Sequence, residues 1–221
     1  MDSLLIKIFW LAFCYLLGSI PSGYLVSRCF GKDILKIGWR KTSGSNVFKN
    51  VGKWQGIVTA FMDIGKGYLA VLLAQKLGFS PEIQVFSGLF AIIGNNWSLF
   101  LNFAGGRGLG VYAGALFAFS PEILGFVLIP IAVILIIWDA SIGSIFSLAT
   151  AILLSIKYGM FDTAGILTVL SLFPIFIKRL SPFKELSLKN WNLTLNRFIF
   201  DNDQRRDFRI KRIIGKFSSR T

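Results

Sequence analysis

The chain is laid out as long apolar segments with very few charges inside them. Between Lys53 and Lys178 the only basic residues are Lys66, Lys76, Arg107 and Lys157. Most of these segments approach the roughly 20 residues that a helix needs to cross a bilayer. Of the 221 residues, 54% are hydrophobic and 16% charged, whereas a soluble domain carries about a quarter charged residues. A water-soluble globule is therefore excluded. The expected fold is an all-α, polytopic integral membrane protein of about seven transmembrane helices, near 3–27, 55–77, 83–103, 109–120, 122–138, 143–158 and 163–179.

The net charge of +13 sets the orientation. Arg28 to Lys53 holds seven basic residues and the single acid Asp33. Lys178 to Thr221 holds twelve against Glu185, Asp201, Asp203 and Asp207. Basic loops stay in the cytoplasm, so seven crossings put the N-terminus outside and the C-terminus inside. The 28–54 loop, the turn near 104–108 and the 139–144 turn then share the cytoplasmic side. Segment 109–120 is short for a full span, but without it the basic tail would change sides. The chain thus divides into a transmembrane unit, 1–182, and a basic cytoplasmic tail, 183–221. Within the tail, Trp191–Phe200 and Phe208–Ile214 mix apolar residues with Arg and Lys. They read either as interfacial helix held to anionic lipid or as a solvated basic extension. Basic residues beside a membrane do not make a nucleic-acid site, so the expected macroscopic partner is the bilayer and no nucleic acid.

Cys14 lies inside the first apolar segment and Cys29 just beyond it, which gives a structural disulfide little support. Leu11-Ala12-Phe13-Cys14 has the outline of a lipoprotein cleavage site. Phe13 is too bulky for it and Lys7 interrupts the stretch, so an uncleaved first helix is expected. Histidine is absent. That removes imidazole as base, nucleophile or metal ligand, and neither metal nor cofactor is expected.

Chemistry-bearing residues gather in the loops assigned to the cytoplasmic face. Gly105, Gly106 and Gly108 surround Arg107 just before a helix. Glycine lets backbone N–H groups approach an anion, a helix N-terminus adds partial positive charge, and arginine grips phosphate bidentately. The same glycines also suit close packing of membrane helices. Thr42-Ser43-Gly44-Ser45-Asn46 with Lys49 offers hydroxyls, an amide and a cation for the same anion, or forms an ordinary polar turn. Ser141 and Ser144 stand three apart at a helix start, as ligands or as caps. Asp63 and Lys66 fall on one helix face, where an i,i+3 pair can neutralise itself. An unpaired charge at that depth costs about 2.5–3.5 kcal/mol on insertion scales, so they are a structural pair or a substrate group. Asn95 and Asn96 must face the bundle interior or a cavity. Pro21, inside Gly18-Ser19-Ile20-Pro21-Ser22-Gly23, removes a donor, and nearby Ser hydroxyls can satisfy the freed carbonyls.

In this order the pieces resemble the bacterial glycerol-3-phosphate acyltransferase family that uses acyl phosphate as donor. The resemblance spans roughly residues 10–180 and rests on Tyr15 to Tyr24; Asp33, Ile34, Lys36, Gly38, Asn46, Lys49 and Gly52; Asp63, Lys66 and Gly67; Gly94, Phe100, Phe103, Gly105, Gly106 and Gly108; and Ser141, Gly143 and Ser144. It implies attack of the glycerol 3-phosphate sn-1 hydroxyl on a fatty acyl phosphate, giving lysophosphatidic acid and inorganic phosphate at the inner membrane of a bacterium. Carried over by position, Arg107, Lys49 and Ser141 are the expected catalytic residues. Ser45, Asn46, Gly105, Gly106, Gly108, Ser144 and Lys178 are the expected substrate-binding residues.

The chain also departs from the family pattern. Gly38-Trp39-Arg40-Lys41 stands where the family reads Gly-Ser-Gly-Asn. Lys49 replaces Arg, Arg107 replaces Lys, and Asn95 replaces a His. Lys178 and Ser181 stand at a His and an Asn, and the Gly-Thr-Glu ending is absent. These substitutions leave a second reading, a paralogue that binds lipid or anion without turnover, favoured by Trp39, Arg40 and Lys41. Asp63 and Lys66 would also permit a small transporter, although no inverted repeat of the spans is visible.

Overall fold

The computed structural model describes residues 3–181 and 191–203. The elements are α1 (Leu4–Ser19), α2 (Ser22–Cys29), α3 (Gly44–Asn50), α4 (Lys53–Lys76), α5 (Pro81–Asn96), α6 (Leu109–Phe119), α7 (Pro121–Ile137), α8 (Ala140–Lys157), α9 (Ile166–Leu180) and α10 (Trp191–Phe200). A 3-10 turn, Leu99–Leu101, extends α5, and a π-helical turn, Phe161–Gly165, leads into α9. The described residues are all-α.

Five helical stretches are long and apolar enough to cross a membrane: Leu4–Cys29, Lys53–Lys76, Pro81–Leu101, Ala140–Lys157 and Phe161–Leu180. The expectation of seven spans also used 109–120 and 122–138. These are separate, shorter helices of 11 and 17 residues, roughly 16 and 25 Å long at about 1.5 Å per residue. Ser120 divides them, with extended backbone and a hydroxyl that accepts from the Ile123 N–H at 3.2 Å. Pro121 follows at the first helical position, where its missing donor costs nothing.

The first span is broken at Pro21. A residue before proline is driven to extended backbone, and Ile20 adopts φ −54, ψ 115. The carbonyls freed there are satisfied mainly by Lys66 rather than by the neighbouring Ser hydroxyls. Its Nζ donates to Ile20 O at 2.8 Å and Gly18 O at 3.4 Å. Ser98 from beyond α5 closes Ser19 O at 2.5 Å. Lys66 also pairs with Asp63 at 2.8 Å and donates to Asn95 Oδ1 at 3.0 Å. All three side chains are buried, so the i,i+3 pair expected from spacing is part of a closed structural network. Asn96 reaches the other way and donates to Pro174 O of α9 at 2.9 Å.

The bundle is drawn tight by reciprocal glycines. A Cβ at Gly18 of α1 would strike the Ala91 backbone of α5, and one at Gly94 of α5 would strike the Tyr15 carbonyl of α1. Gly67 of α4 and Gly114 of α6 stand in the same relation, against Val111 and Ile64. Small residues permit such backbone contact where lipid supplies no hydrophobic drive between helices. The apolar core joins α4, α5, α6, α8 and α9 through Val71, Ile92, Leu116, Leu148 and Leu167. On the periphery α7 buries only Ile123 and Val127, leaving Phe126, Ile129 and Ile136 exposed. In this chain an exposed apolar surface is a lipid-facing one.

Candidate active site

All the loops assigned to one membrane face converge at one end of the bundle. The Thr42 N–H donates to Gly105 O at 3.2 Å, joining the first basic loop to the Gly-rich turn. The Gly106 N–H donates to Asn95 O at 2.8 Å. Gly105 and Gly106 lie flat against Asn95 and Asn96, and a Cβ at Gly106 would come within 2.7 Å of Asn95 Nδ2. Gly108 has φ +76 and abuts Asn96. The glycines thus let the turn pack on the end of α5, and they place Arg107, its side chain 12% exposed, immediately before α6.

Arg107 lies at the centre of this face. Its Nη1 donates to Ser45 Oγ at 3.3 Å, its Nε is ion-paired to Asp201 Oδ2, and its guanidinium lies 4.8 Å from the Trp39 ring centroid. Exposed Lys49 lies 5.2 Å from the same ring. The indole that replaces the family serine therefore stands between the two expected phosphate-holding cations, and cation–π attraction holds both. Asn46, expected as a substrate ligand, is fully buried and spent on the loop. Its Oδ1 accepts from the Trp39 N–H at 3.1 Å and Asn50 Nδ2 at 2.8 Å, while its Nδ2 donates to Lys41 O at 2.8 Å.

The serine turn is built differently from its expected form. Asp139, not a serine, caps α8, accepting from the Ser141 N–H at 2.9 Å. Ser144 Oγ donates to Ser141 O at 2.7 Å and accepts from Arg179 Nη2 at 2.6 Å. Arg179 also donates to Ser141 O at 3.1 Å and to Phe198 O at 3.0 Å. Only 2% exposed, this guanidinium ties the ends of α8, α9 and α10 together, a favourable place for a cation beside the carbonyls of a helix C-terminus. Lys178 turns away, towards Phe103 O at 3.4 Å and the Trp97 ring at 5.5 Å.

Three participants were not among the expected site residues: Lys41, Arg179 and Asp201. Lys41 is 6% exposed and donates to Asp201 Oδ1 at 2.9 Å and Arg179 O at 3.3 Å. Burial holds its amine below the ordinary lysine value, and Asp201 works in the opposite sense. Asp201, 5% exposed, bridges Lys41 and Arg107. The available signal for Asp201 was an acid within a strongly basic tail, and for Arg179 a second cation beside Lys178 at the end of a span. The second tail stretch, Phe208–Ile214, lies outside the described residues. Among the described residues no cluster of His, Cys, Asp and Glu is placed to hold a metal ion.

These features define an all-α, multi-pass membrane protein with an arginine-centred cluster of charged and polar residues at one end of the bundle. Residues 8–187 match the glycerol-3-phosphate acyltransferase family. A relative is the glycerol-3-phosphate acyltransferase 2 of Moorella thermoacetica, 42% identical over 150 residues, 67% of this chain and 77% of the relative. The fold is similar to the crystal structure of PlsY (YgiH), an integral membrane glycerol 3-phosphate acyltransferase, in its glycerol 3-phosphate form. The TM-score is 0.69 at 28% identity, covering 84% of this chain and 97% of that one. The lysophosphatidic acid form of the same enzyme gives a TM-score of 0.69 at 27% identity, covering 87% and 93%. The chain belongs to the glycerol-3-phosphate acyltransferase family. It is a sequence-divergent acyltransferase of the bacterial cytoplasmic membrane.

Proposed function

We propose that the chain moves a fatty acyl group from acyl phosphate to the sn-1 hydroxyl of glycerol 3-phosphate, at the face where Arg107 meets Ser45. The juxtaposition of Arg107 with Ser45, 62 positions apart, is the observation that carries this reading. It joins two motifs that each offer donors to an anion.

The donor is a mixed anhydride and needs no further activation. The hydroxyl oxygen forms a bond to the acyl carbon, the acyl–phosphate C–O bond breaks, and inorganic phosphate leaves with the hydroxyl proton. The protein's task is then positioning and neutralisation of charge, which suits a chain without histidine. Arg107 and Lys49 hold the phosphate groups, Ser45 adds a hydrogen bond, and the start of α6 at Leu109 adds helix-terminal positive charge. Asn46, Gly105, Gly106 and Gly108 fix the shape of the two loops. Ser141 and Ser144 act through Arg179, and Lys178 supports the turn at Phe103.

The reading includes seven crossings, with α6 and α7 completing the count and the Arg107 face in the cytoplasm. Cys29 is exposed near that face and Cys14 is buried. A membrane-impermeant maleimide should therefore label Cys29 in inside-out vesicles and not in intact cells; the reverse pattern overturns the orientation. The activity is tested with protein purified into lipid and supplied with palmitoyl phosphate and glycerol 3-phosphate. Equimolar phosphate and lysophosphatidic acid are expected. Folded protein that yields neither would overturn the assignment.

A further inference from the structure

The family match ends at residue 187, and α10 begins at Trp191. The acid at the centre of the cationic face therefore lies beyond the stretch that the family model matches. We propose that Asp201 is an internal competitor for substrate phosphate: with α10 seated, its carboxylate occupies the anion position at Arg107, and glycerol 3-phosphate binds there only once it is displaced. This rests on Arg107 being a phosphate-holding residue.

Asp201 gives one oxygen to Lys41 and the other to Arg107, which is how a phosphate would divide its oxygens between two cations. The cavity lined by Gly38, Lys41, Arg179 and Asp201 measures about 90 Å³. Arg197, Asp201, Asn202 and Asp203 form part of its lining, so the end of α10 closes over this side of the cluster. The chain leaves α10 through Asp201 itself, at φ 49. That left-handed backbone, tolerated by Asp better than by most residues, delivers the carboxylate into the cluster.

The contacts that seat α10 gather at its C-terminal end: Arg179 to Phe198 O and Ile199 O, the Phe200 ring on Trp138 and the Phe198 ring on Phe176. At the other end Trp191 is exposed. None of these contacts uses Ser45, Lys49 or the Gly-rich turn. Of the substrate-facing groups only Arg107 loses a partner when Asp201 leaves, and its contacts with Ser45 and the Trp39 ring do not involve α10.

The rival role for Asp201 is a positioning partner that holds Lys41 and Arg107 in productive geometry. The two separate in the split between KM and kcat. Full-length protein, Asp201→Asn, Asp201→Ala and Asp201→Glu are reconstituted in lipid and titrated with glycerol 3-phosphate at saturating palmitoyl phosphate. A competitor that leaves one binding-competent molecule in ten raises the apparent dissociation constant about tenfold. Asp201→Asn and Asp201→Ala should thus show a KM roughly tenfold lower with kcat not reduced, and Asp201→Glu should keep the high KM. Equilibrium titration with glycerol 3-phosphate alone should show the same tightening, independently of turnover. If no variant makes lysophosphatidic acid, the acyltransferase assignment fails while the titration still decides the competition. Unchanged or weaker binding in Asp201→Asn, or lower kcat with raised KM, overturns the proposal. So does loss of folding in both Asp201→Asn and Asp201→Ala, because a competitor is dispensable to the fold.

Discussion

Two clusters of buried charge lie at different depths in this molecule and are assembled in opposite ways. Asp63, Lys66 and Asn95 sit within the bundle, and the ion pair spans one turn of one helix. Lys41, Arg107 and Asp201 sit at the end of the bundle, and the lysine finds its acid 160 positions away. The deep cluster has no spare valence: Lys66 already donates to Gly18, Ile20 and Asn95 besides pairing with Asp63. In the shallow cluster Arg107 is shared among an acid, a hydroxyl and an aromatic face. A network with every donor committed holds a fold. One whose anion can be exchanged can hold a substrate.

The contrast breaks most visibly at Lys66. Lys66→Met strands Asp63 and the carbonyls at the Pro21 break, and removing one partner of a buried pair costs about 3–5 kcal/mol. Yield from the membrane and thermal stability should both collapse, with part of the loss recovered when Asp63→Asn is added. A Lys66→Met protein as stable as wild type would show that the deep network is not structural. At the shallow cluster, where Lys41 still pairs with Asp201, Arg107→Ala should still insert and fold and lose roughly 10²–10³-fold in turnover, the scale of a deleted transition-state donor. Unchanged turnover would remove Arg107 from the site.

The smallest expected effect is a pH dependence. Burial depresses the Lys41 amine below its ordinary value in the folded chain. Between the folded and unfolded values the unfolded state binds more protons, so this group makes stability rise with pH across that alkaline window. Thermal unfolding scans should show the rise in wild type and lose it in Lys41→Met. In Asp201→Asn, which lacks the carboxylate that raises the amine, the window should open at lower pH. Scans that run parallel in all three proteins would mean that Lys41 does not titrate there.

What could be read from the sequence follows the same division between near and far. Asp63 and Lys66 were legible because helical spacing alone sets them face to face. The convergence of the 28–54 loop, the Gly-rich turn and the 139–144 turn was legible because charge bias sorts loops to one side. Spacing says nothing about residues 41, 107 and 201, whose meeting depends on where whole helices end. Pro21 announced a break, but not that a lysine from α4 would close it. Ser141 looked like a cap, whereas Asp139, two positions earlier, performs that role. The division between segments 109–120 and 122–138, and the shortness of the first, were legible too; the Ser120 hydroxyl that caps the second helix was not.

The reciprocal contacts of Gly18 and Gly94 have a consequence beyond packing. Two of the carbonyls that receive Lys66 ride on the α1 side of that crossing, while Asn95 rides on α5. The working clearance of the polar stitch at Pro21 is therefore set by two hydrogen atoms, one on each helix. A membrane thick or thin enough to make α1 slide along α5 would carry Lys66's acceptors out of register. Bilayer thickness is in that sense a mechanical input to this fold, read where two backbones touch.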